Sequence, residues 1–306
     1  MSQPLRPVLV VMVWQGRERF QRCLASIDKA TAHFSRIVLS ITATPDSADL
    51  ALAHEFAESH PGVEVICTGK ELPTMQHQTF WVDYLERTGT TPDDWIYWLA
   101  YDDEVRVRGI ERIVDADGSW PLQQGTAYFG PWAMRHEAAD RVLWDESGEH
   151  LQSWTSFPLN GPLRLPVGTW IGRQLAQPTY MQMSGSLAQF ACYLSLRDAR
   201  PRKDGPMRIE MSIAAAPPNI WVEEFPAPIS IIYGRSNSDR ASYGSAARKE
   251  DFHLVAWLGR HALEHPEAIV PLTKAAAEVG WHHLLRWTRG APLPAEDWAT
   301  RDLVEP

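Results

Sequence analysis

The sequence predicts an α/β protein in which a mainly parallel sheet is flanked by helices, and three observations carry that expectation. The run at 8–14, Val-Leu-Val-Val-Met-Val-Trp, has no polar alternation, as suits a strand buried on both faces. Four strand-like runs alternate with three stretches of helical period over the first hundred residues. The joints between them carry turn residues such as Pro61-Gly62 and Gly89. Parallel strands joined by helices imply right-handed crossovers.

The elements follow in order. After the strand at 8–14, Phe20, Cys23, Leu24 and Ile27 recur at helical spacing and make one apolar stripe. A second strand is expected at 36–42, centred on Ile37-Val38-Leu39. Asp46 is placed to cap a second helix carrying Leu50, Ala53 and Phe56, which Pro61-Gly62 ends. A third strand is expected at 63–67. Thr74 opens a third helix, with Phe80, Trp81, Tyr84 and Leu85 inward and Gly89 closing it. The fourth strand covers 95–101. Beyond it the periodicity weakens. We expect a helix at 108–114, a strand at 126–130, a helix at 207–216 stopped by Pro217-Pro218, and strands at 220–225 and 229–233. The stretch 187–197 fits a helix and a strand equally, and 131–180 has no clean period. Residues 234–248 read as a loop of Gly, Ser, Asn and Arg, the kind that tends to be mobile or functional. Helical period returns at 250–290, so the chain divides into a main domain, 1–248, and a helical C-terminal extension, 249–306.

Composition narrows the function classes. The 306 residues are 44% apolar and 22% charged, which is globular rather than disordered. A net charge of −9 with no Lys/Arg block argues against a general nucleic-acid binder, which needs clustered cations to neutralise phosphates. The first apolar run is far shorter than the roughly 20 residues that span a bilayer, and it lacks a cleavage site. Cys23, Cys67 and Cys192 are too few and too scattered for a disulfide framework or a zinc site. These readings together predict a cytoplasmic protein. The 14 tryptophans are a heavy load, and most are expected to be packing residues; some could stack on sugar faces. His261-x-x-Glu264-His265 matches a zinc-peptidase pattern, but Pro266 ends the helix at once. Neither a phosphate loop nor a Gly-x-Gly-x-x-Gly turn is present.

The sharpest local feature is the fourth strand running directly into Asp102-Asp103-Glu104. Ligands of open α/β sheets sit outside the carboxyl ends of the strands, so this acidic triplet falls at the usual ligand position. Hard oxygen ligands suit Mg²⁺ or Mn²⁺, which keep coordination positions open for phosphate oxygens. The plain alternative is a solvated turn, where Asp is common.

At this point the sequence resembles the GT-A glycosyltransferases, family 2 type. An apolar strand is followed by Trp14-Gln15-Gly16 and then Cys23-Leu24-Ala25-Ser26-Ile27, and Tyr101-Asp102-Asp103-Glu104-Val105 lies on the family's DXD metal motif. The resemblance covers 8–115 and extends loosely to about 245. It implies a GT-A fold and transfer of a sugar from a nucleotide-diphosphate donor to a carbohydrate acceptor. The reaction would be metal-dependent and inverting, in polysaccharide or glycoconjugate synthesis. It further implies that Asp102 faces the donor nucleotide and that Asp102 and Glu104 bind Mg²⁺ or Mn²⁺, with Asp103 beside them. Trp14 and Gln15 would stand near the base; the plain alternative for Trp14 is that it fills the core.

The departures from the family pattern are specific. Where the family has an Asp-Asp-Gly-Ser-Thr-Asp-like turn, this chain has Thr44-Pro45-Asp46-Ser47-Ala48-Asp49, so Ser47 and the last acid, Asp49, remain, the leading acids are missing, and Asp46 is a candidate for donor contact. The second metal position is Glu rather than Asp. The family's catalytic Glu-Asp pair is matched by Glu210 alone, with Asp204 as competitor; a lone Glu opening a helix also suits the helix dipole. Arg235 and Arg240 stand where family members contact the diphosphate, and guanidinium suits phosphate; a solvated loop is the other reading. From another class, the missing acids favour a non-catalytic relative that only binds a glycan or partner, and a metal-dependent hydrolase comes third.

Overall fold

A computed structural model of the chain describes residues 4–130, 133–136, 141–142, 164–167, 170, 184–198, 213 and 216–234. The apolar runs become the middle of one sheet. β1 (Val8–Val13), α1 (Arg17–Asp28), β2 (Arg36–Ile41), α2 (Ala48–Ser59), β3 (Val63–Cys67), α3 (Thr74–Arg87) and β4 (Trp95–Ala100) alternate as expected. β1 pairs in parallel with β2 on one edge and β4 on the other, so that Val10 lies opposite both Val38 and Trp98. Its odd-numbered residues Leu9, Val11 and Val13 join Phe20, Cys23 and Ile27 of α1 in one apolar layer. Its even-numbered residues Val8, Val10 and Met12 join Trp81, Val82 and Leu85 of α3 in the other. Because strand side chains alternate between faces, a helix layer on each face demands an uninterrupted apolar run, which is what 8–13 supplies.

The chain continues through β5 (Glu104–Val105), α4 (Val107–Ile110), β6 (Thr126–Phe129), β7 (Ala133–His136), β8 (Arg141–Val142), β9 (Arg164–Pro166), β10 (Ser186–Gln189), α5 (Phe190–Asp198), β11 (Trp221–Glu224) and β12 (Ser230–Gly234). The large sheet has the order β3-β2-β1-β4-β10-β6-β11-β9, and a smaller one the order β5-β12-β7-β8. β10 runs antiparallel to both β4 and β6, so the sheet is mixed. Among the described residues, no helix is long and apolar enough to cross a membrane.

Several expectations need correction. The strands at 8–14, 36–42 and 95–101 each stop one residue early. Ser47, not Asp46, caps α2: its hydroxyl accepts from the Asp49 N–H at 3.2 Å, while Asp46 lies one residue too early in the exposed turn. The helix expected at 108–114 is the single turn α4. The Arg106 N–H is taken by the Ile229 carbonyl and Gly109 packs on the Pro228 carbonyl, which a Cβ would approach to 1.7 Å, so the segment is moulded to the chain before β12. The stretch 187–197 is both strand and helix: β10 passes into α5 at Gln189-Phe190, and it read ambiguously because both halves are apolar. Trp81, Trp95, Trp98, Trp120 and Trp170 are buried, as packing residues should be, whereas Trp14 is 40% exposed and does not fill the core. Trp132, Trp144 and Trp154, the extension 249–306 and all of 207–216 except Ile213 and Ala216 lie outside the described residues.

Between β2 and α3, the buried Ser40 hydroxyl and His77 Nε2 meet at 2.8 Å. Burial disfavours the imidazolium and lowers the pKa of His77 from 6.5 to about 4. Above 6.5 the ring is neutral in folded and unfolded chains alike. Between 6.5 and about 4 only the unfolded chain takes the proton, so stability is lost as pH falls. Urea unfolding across that window should show His77 contributing a slope of up to about 1.4 kcal/mol per pH unit. His77→Gln should lack that component; an unchanged pH slope in this variant would refute the assignment.

Candidate functional site

The chain leaves β1 towards β2 and β3, then returns to place β4 on the opposite edge of β1. The strand order therefore reverses between β1 and β4, the point at which the loops after the strands of an open α/β sheet diverge and ligands enter the crevice between them. The turn 14–17 follows β1 on one side of this point and the triplet 102–104 follows β4 on the other. Hydrogen bonds carry the sheet just past the strand ends, from Tyr101 N–H to the Met12 carbonyl and from Thr42 N–H to the Val13 carbonyl.

The turn after β1 is built tightly. Trp14 and Gln15 are exposed. Gln15 has a φ of 50° and Arg17 a φ of 45°, both left-handed for residues with a Cβ. Between them Gly16 is buried, where a Cβ would lie 2.7 Å from Phe20 Cβ and 2.9 Å from Tyr101 Cδ2. The Gly16 and Arg17 N–H groups donate to Asp49 Oδ2 at 2.8 Å and Oδ1 at 2.7 Å. The Gln15 amide donates to Glu71 Oε1 at 3.0 Å, which ties the turn to the loop after β3. Thr42 Oγ1 accepts from Leu72 N–H at 2.6 Å and draws the ends of β2 and β3 together.

Across the crevice, Asp102 (9% exposed) and Asp103 (4%) are buried, and Glu104 is half-buried. Glu104 and Val105 pair with Ile231 and Ser230 of β12. Val105 N–H donates to Ser26 Oγ at 3.0 Å, and Ser26 in turn donates to the Cys23 carbonyl at 2.7 Å. The Cys23–Ser26 segment thus has a local task, the docking of α1 onto the strand that carries Glu104. Ser184 Oγ accepts from Ala100 N–H at 3.0 Å, and its carbonyl accepts from Ser230 Oγ at the same distance, joining β4 to β12. The buried Arg106 donates from Nη1 to the Pro228 carbonyl at 3.3 Å. The acidic character of this corner registers on its neighbours. Burial pushes the Cys23 thiol up, and Asp103, Asp102 and Glu104 push it further the same way. Burial and then Asp103 do likewise to the Tyr97 phenol.

Carboxylate is the hard oxygen donor that a divalent cation takes, and Asp102 and Glu104 are carboxylates at the carboxyl end of β4. Among the described residues, no group of three His, Cys, Asp or Glu side chains is arranged to hold a metal. A cation at this corner would rely on two carboxylates and complete its shell with water and substrate oxygens, the ordinary habit of Mg²⁺. Trp14, Gln15 and the triplet therefore stand at the carboxyl ends of two adjacent strands. Asp46 stands at the exposed β2–α2 turn, its carboxyl held below the usual range by the Thr44 hydroxyl. Glu210, Asp204, Arg235 and Arg240 lie outside the described residues. Sequence reasoning missed Asp49, Glu71 and Ser184 as site-building residues. Only Asp49 had a signal, as the last acid left in the turn after β2.

No family model and no curated protein matches the sequence. Solved structures do match. TarS 1-349 of S. aureus in complex with UDP-GlcNAc is similar at a TM-score of 0.53 and 8% identity, over 90% of this chain and 72% of that one. GalNAc-T7 with UDP, GalNAc and Mn²⁺ is similar at 0.52 and 13% identity, over 92% of this chain and 55% of that one. The mannosyltransferase PcManGT from Pyrobaculum calidifontis, in complex with GDP-Man and Mn²⁺, is similar at 0.51 and 13% identity, over 98% of this chain and 80% of that one. At such identities the likeness is one of fold. The chain has the GT-A fold of these glycosyltransferases, as the sequence resemblance implied.

Gly16→Ala tests the packing of the turn. A methyl group cannot enter between Phe20 and Tyr101 without moving one of them, so overpacking should cost about 1–3 kcal/mol, read as a lower urea midpoint. An unchanged midpoint would refute the close packing of Gly16 between Phe20 and Tyr101.

Proposed function

We propose that this chain is a glycosyltransferase that takes a nucleoside-diphosphate sugar in the crevice between β1 and β4 and passes the sugar to a carbohydrate acceptor. The observation that carries the reading is the meeting of the exposed Trp14-Gln15 turn and the Asp102-Asp103-Glu104 corner at the point where the strand order reverses. That the similar structures hold UDP-GlcNAc, UDP with Mn²⁺, and GDP-Man with Mn²⁺ supports the same class of donor and ion.

Each residue has a role in this reading. The Trp14 ring face and the Gln15 amide receive the nucleoside, with Asp46 beside them at the next turn. Asp102 and Glu104 hold Mg²⁺ or Mn²⁺, and Asp103 adds to the negative field that retains it. The cation, when bound, neutralises the diphosphate and stabilises its departure. Arg235 and Arg240 begin directly after β12 in the sequence and suit the phosphates, since a guanidinium donates two parallel hydrogen bonds. A carboxylate, Glu210 or else Asp204, takes the proton of the acceptor hydroxyl as its oxygen attacks the anomeric carbon. The bond from that carbon to the diphosphate oxygen breaks in the same step, with inversion. The product class is a polysaccharide or glycoconjugate.

Thermal shift against UDP- and GDP-sugars, with and without Mn²⁺, identifies the donor, because a ligand of the native state raises its apparent stability. With that donor, Glu104→Gln should lower turnover by roughly two orders of magnitude or more. Glu210→Gln should do so while leaving donor binding intact; if only Asp204→Asn does, Asp204 is the base. Full turnover of Glu104→Gln in EDTA would refute the cation's role.

A further inference from the structure

The backbone of the turn after β1 shows how the crevice is shaped. Left-handed Gln15, right-handed Gly16 (φ −76°, ψ −40°) and left-handed Arg17 alternate along three consecutive residues. Alternation of this kind turns successive N–H groups to one side and forms a concavity suited to an anion. Here the protein supplies that anion itself. Asp49, only 4% exposed, places one carboxylate oxygen on the Gly16 N–H and the other on the Arg17 N–H. Its own N–H is held by Ser47 at the start of α2. The carboxylate is thus fixed from the β2 side of the sheet and fills the cradle at the end of β1.

Two consequences follow. The Gly16 and Arg17 N–H groups are already used, so they do not serve a phosphate of the donor. The exposed residues of the turn are instead Trp14 and Gln15, a ring and an amide whose NH₂ also donates to Glu71. Left-handed residues with a Cβ persist only where their surroundings hold them; at this turn Asp49 holds the Gly16 and Arg17 N–H groups from inside, and Glu71 takes the Gln15 amide.

We propose that Asp49 is a positioning residue for the nucleoside half of the donor: its carboxylate locks the 15–17 turn and so sets Trp14 and Gln15 in their receiving geometry. This rests on the reading of the crevice as a donor site. Asn at 49 would keep the shape but present an NH₂ group to a backbone N–H in place of an acceptor. Glu at 49 keeps the charge and reaches one methylene further.

The test uses UDP, GDP and inorganic pyrophosphate as probes, each with Mn²⁺, titrated calorimetrically well below the melting temperature of each variant. Pyrophosphate reports the acidic corner without a nucleoside. Asp49→Asn should weaken the preferred nucleoside diphosphate by about ten-fold or more, since a charge-assisted hydrogen bond is removed from the turn. Pyrophosphate affinity should be unchanged, Asp49→Glu should recover part of the loss, and the donor KM should rise more than kcat falls. If Asp49→Asn does not fold, Asp49→Glu alone should show the same selective weakening to a smaller degree. A role in stability only would lower the melting temperature and leave the affinities of the folded protein equal, which overturns the proposal; so does equal weakening of pyrophosphate. Should the unsubstituted protein bind none of the three probes, the donor-site reading fails and takes this inference with it. Should it bind a nucleoside diphosphate and Asp49→Asn bind it equally, this inference alone fails.

Discussion

Val8–Val13 of β1 are buried on both faces and paired in parallel on both edges, a position that leaves the strand no polar surface. Leu9, Val11 and Val13 need α1 beneath them, and Val8, Val10 and Met12 need α3 above. Burying an aliphatic side chain is worth about 1.5–3 kcal/mol, so six such residues together hold the helix layers to the sheet more firmly than any surface contact does. The consequence for function is positional. With both faces and both edges of β1 committed, the ligand position that an open α/β sheet offers is its carboxyl end, where β1 meets β4.

At that end the molecule accepts costs that its core does not. Two buried aspartates stand side by side next to a third acid, and the turn opposite holds two residues in left-handed backbone conformations. Buried carboxylates and strained turns are retained where surrounding structure over-determines them, and they gather at ligand sites more often than elsewhere. The supporting contacts here are identifiable. Ser26 docks α1 on Val105, Ser184 links Ala100 to Ser230, and Asp49 takes the N–H groups of Gly16 and Arg17. A nucleoside-diphosphate donor with a divalent ion answers both sides of the crevice. In the proposed reading the cation would meet the acids, and the ring and amide of Trp14 and Gln15 would meet the nucleoside.

The legible part of the sequence was the part governed by period and burial. Three helices and four strands of the first hundred residues were readable because a parallel strand under two helix layers must be apolar throughout. The acidic triplet was readable because charge directly after such a strand has one usual place to go. Exact ends were not, since Trp14, Thr42 and Tyr101 are apolar or β-branched yet leave their strands. The α2 cap fell on Ser47 rather than Asp46 because either side chain can serve, and only backbone geometry decides between adjacent candidates. The junction of β10 and α5 defeated periodicity because a buried strand and a buried helix face share one composition. Asp49 was visible as a leftover of a familiar turn, but its partners lie 33 and 32 residues away, and no local pattern encodes such a contact.

The central claim is that the crevice between β1 and β4 receives a nucleoside diphosphate with a divalent ion on Asp102 and Glu104. The most direct measurement is anomalous scattering from crystals grown with Mn²⁺ and the nucleoside diphosphate that best stabilises the protein. The account predicts a manganese peak within coordination distance of both the Glu104 carboxylate and the diphosphate, with the nucleoside against Trp14. A nucleotide bound with its manganese elsewhere, the carboxylates of Asp102 and Glu104 facing neither, would contradict it.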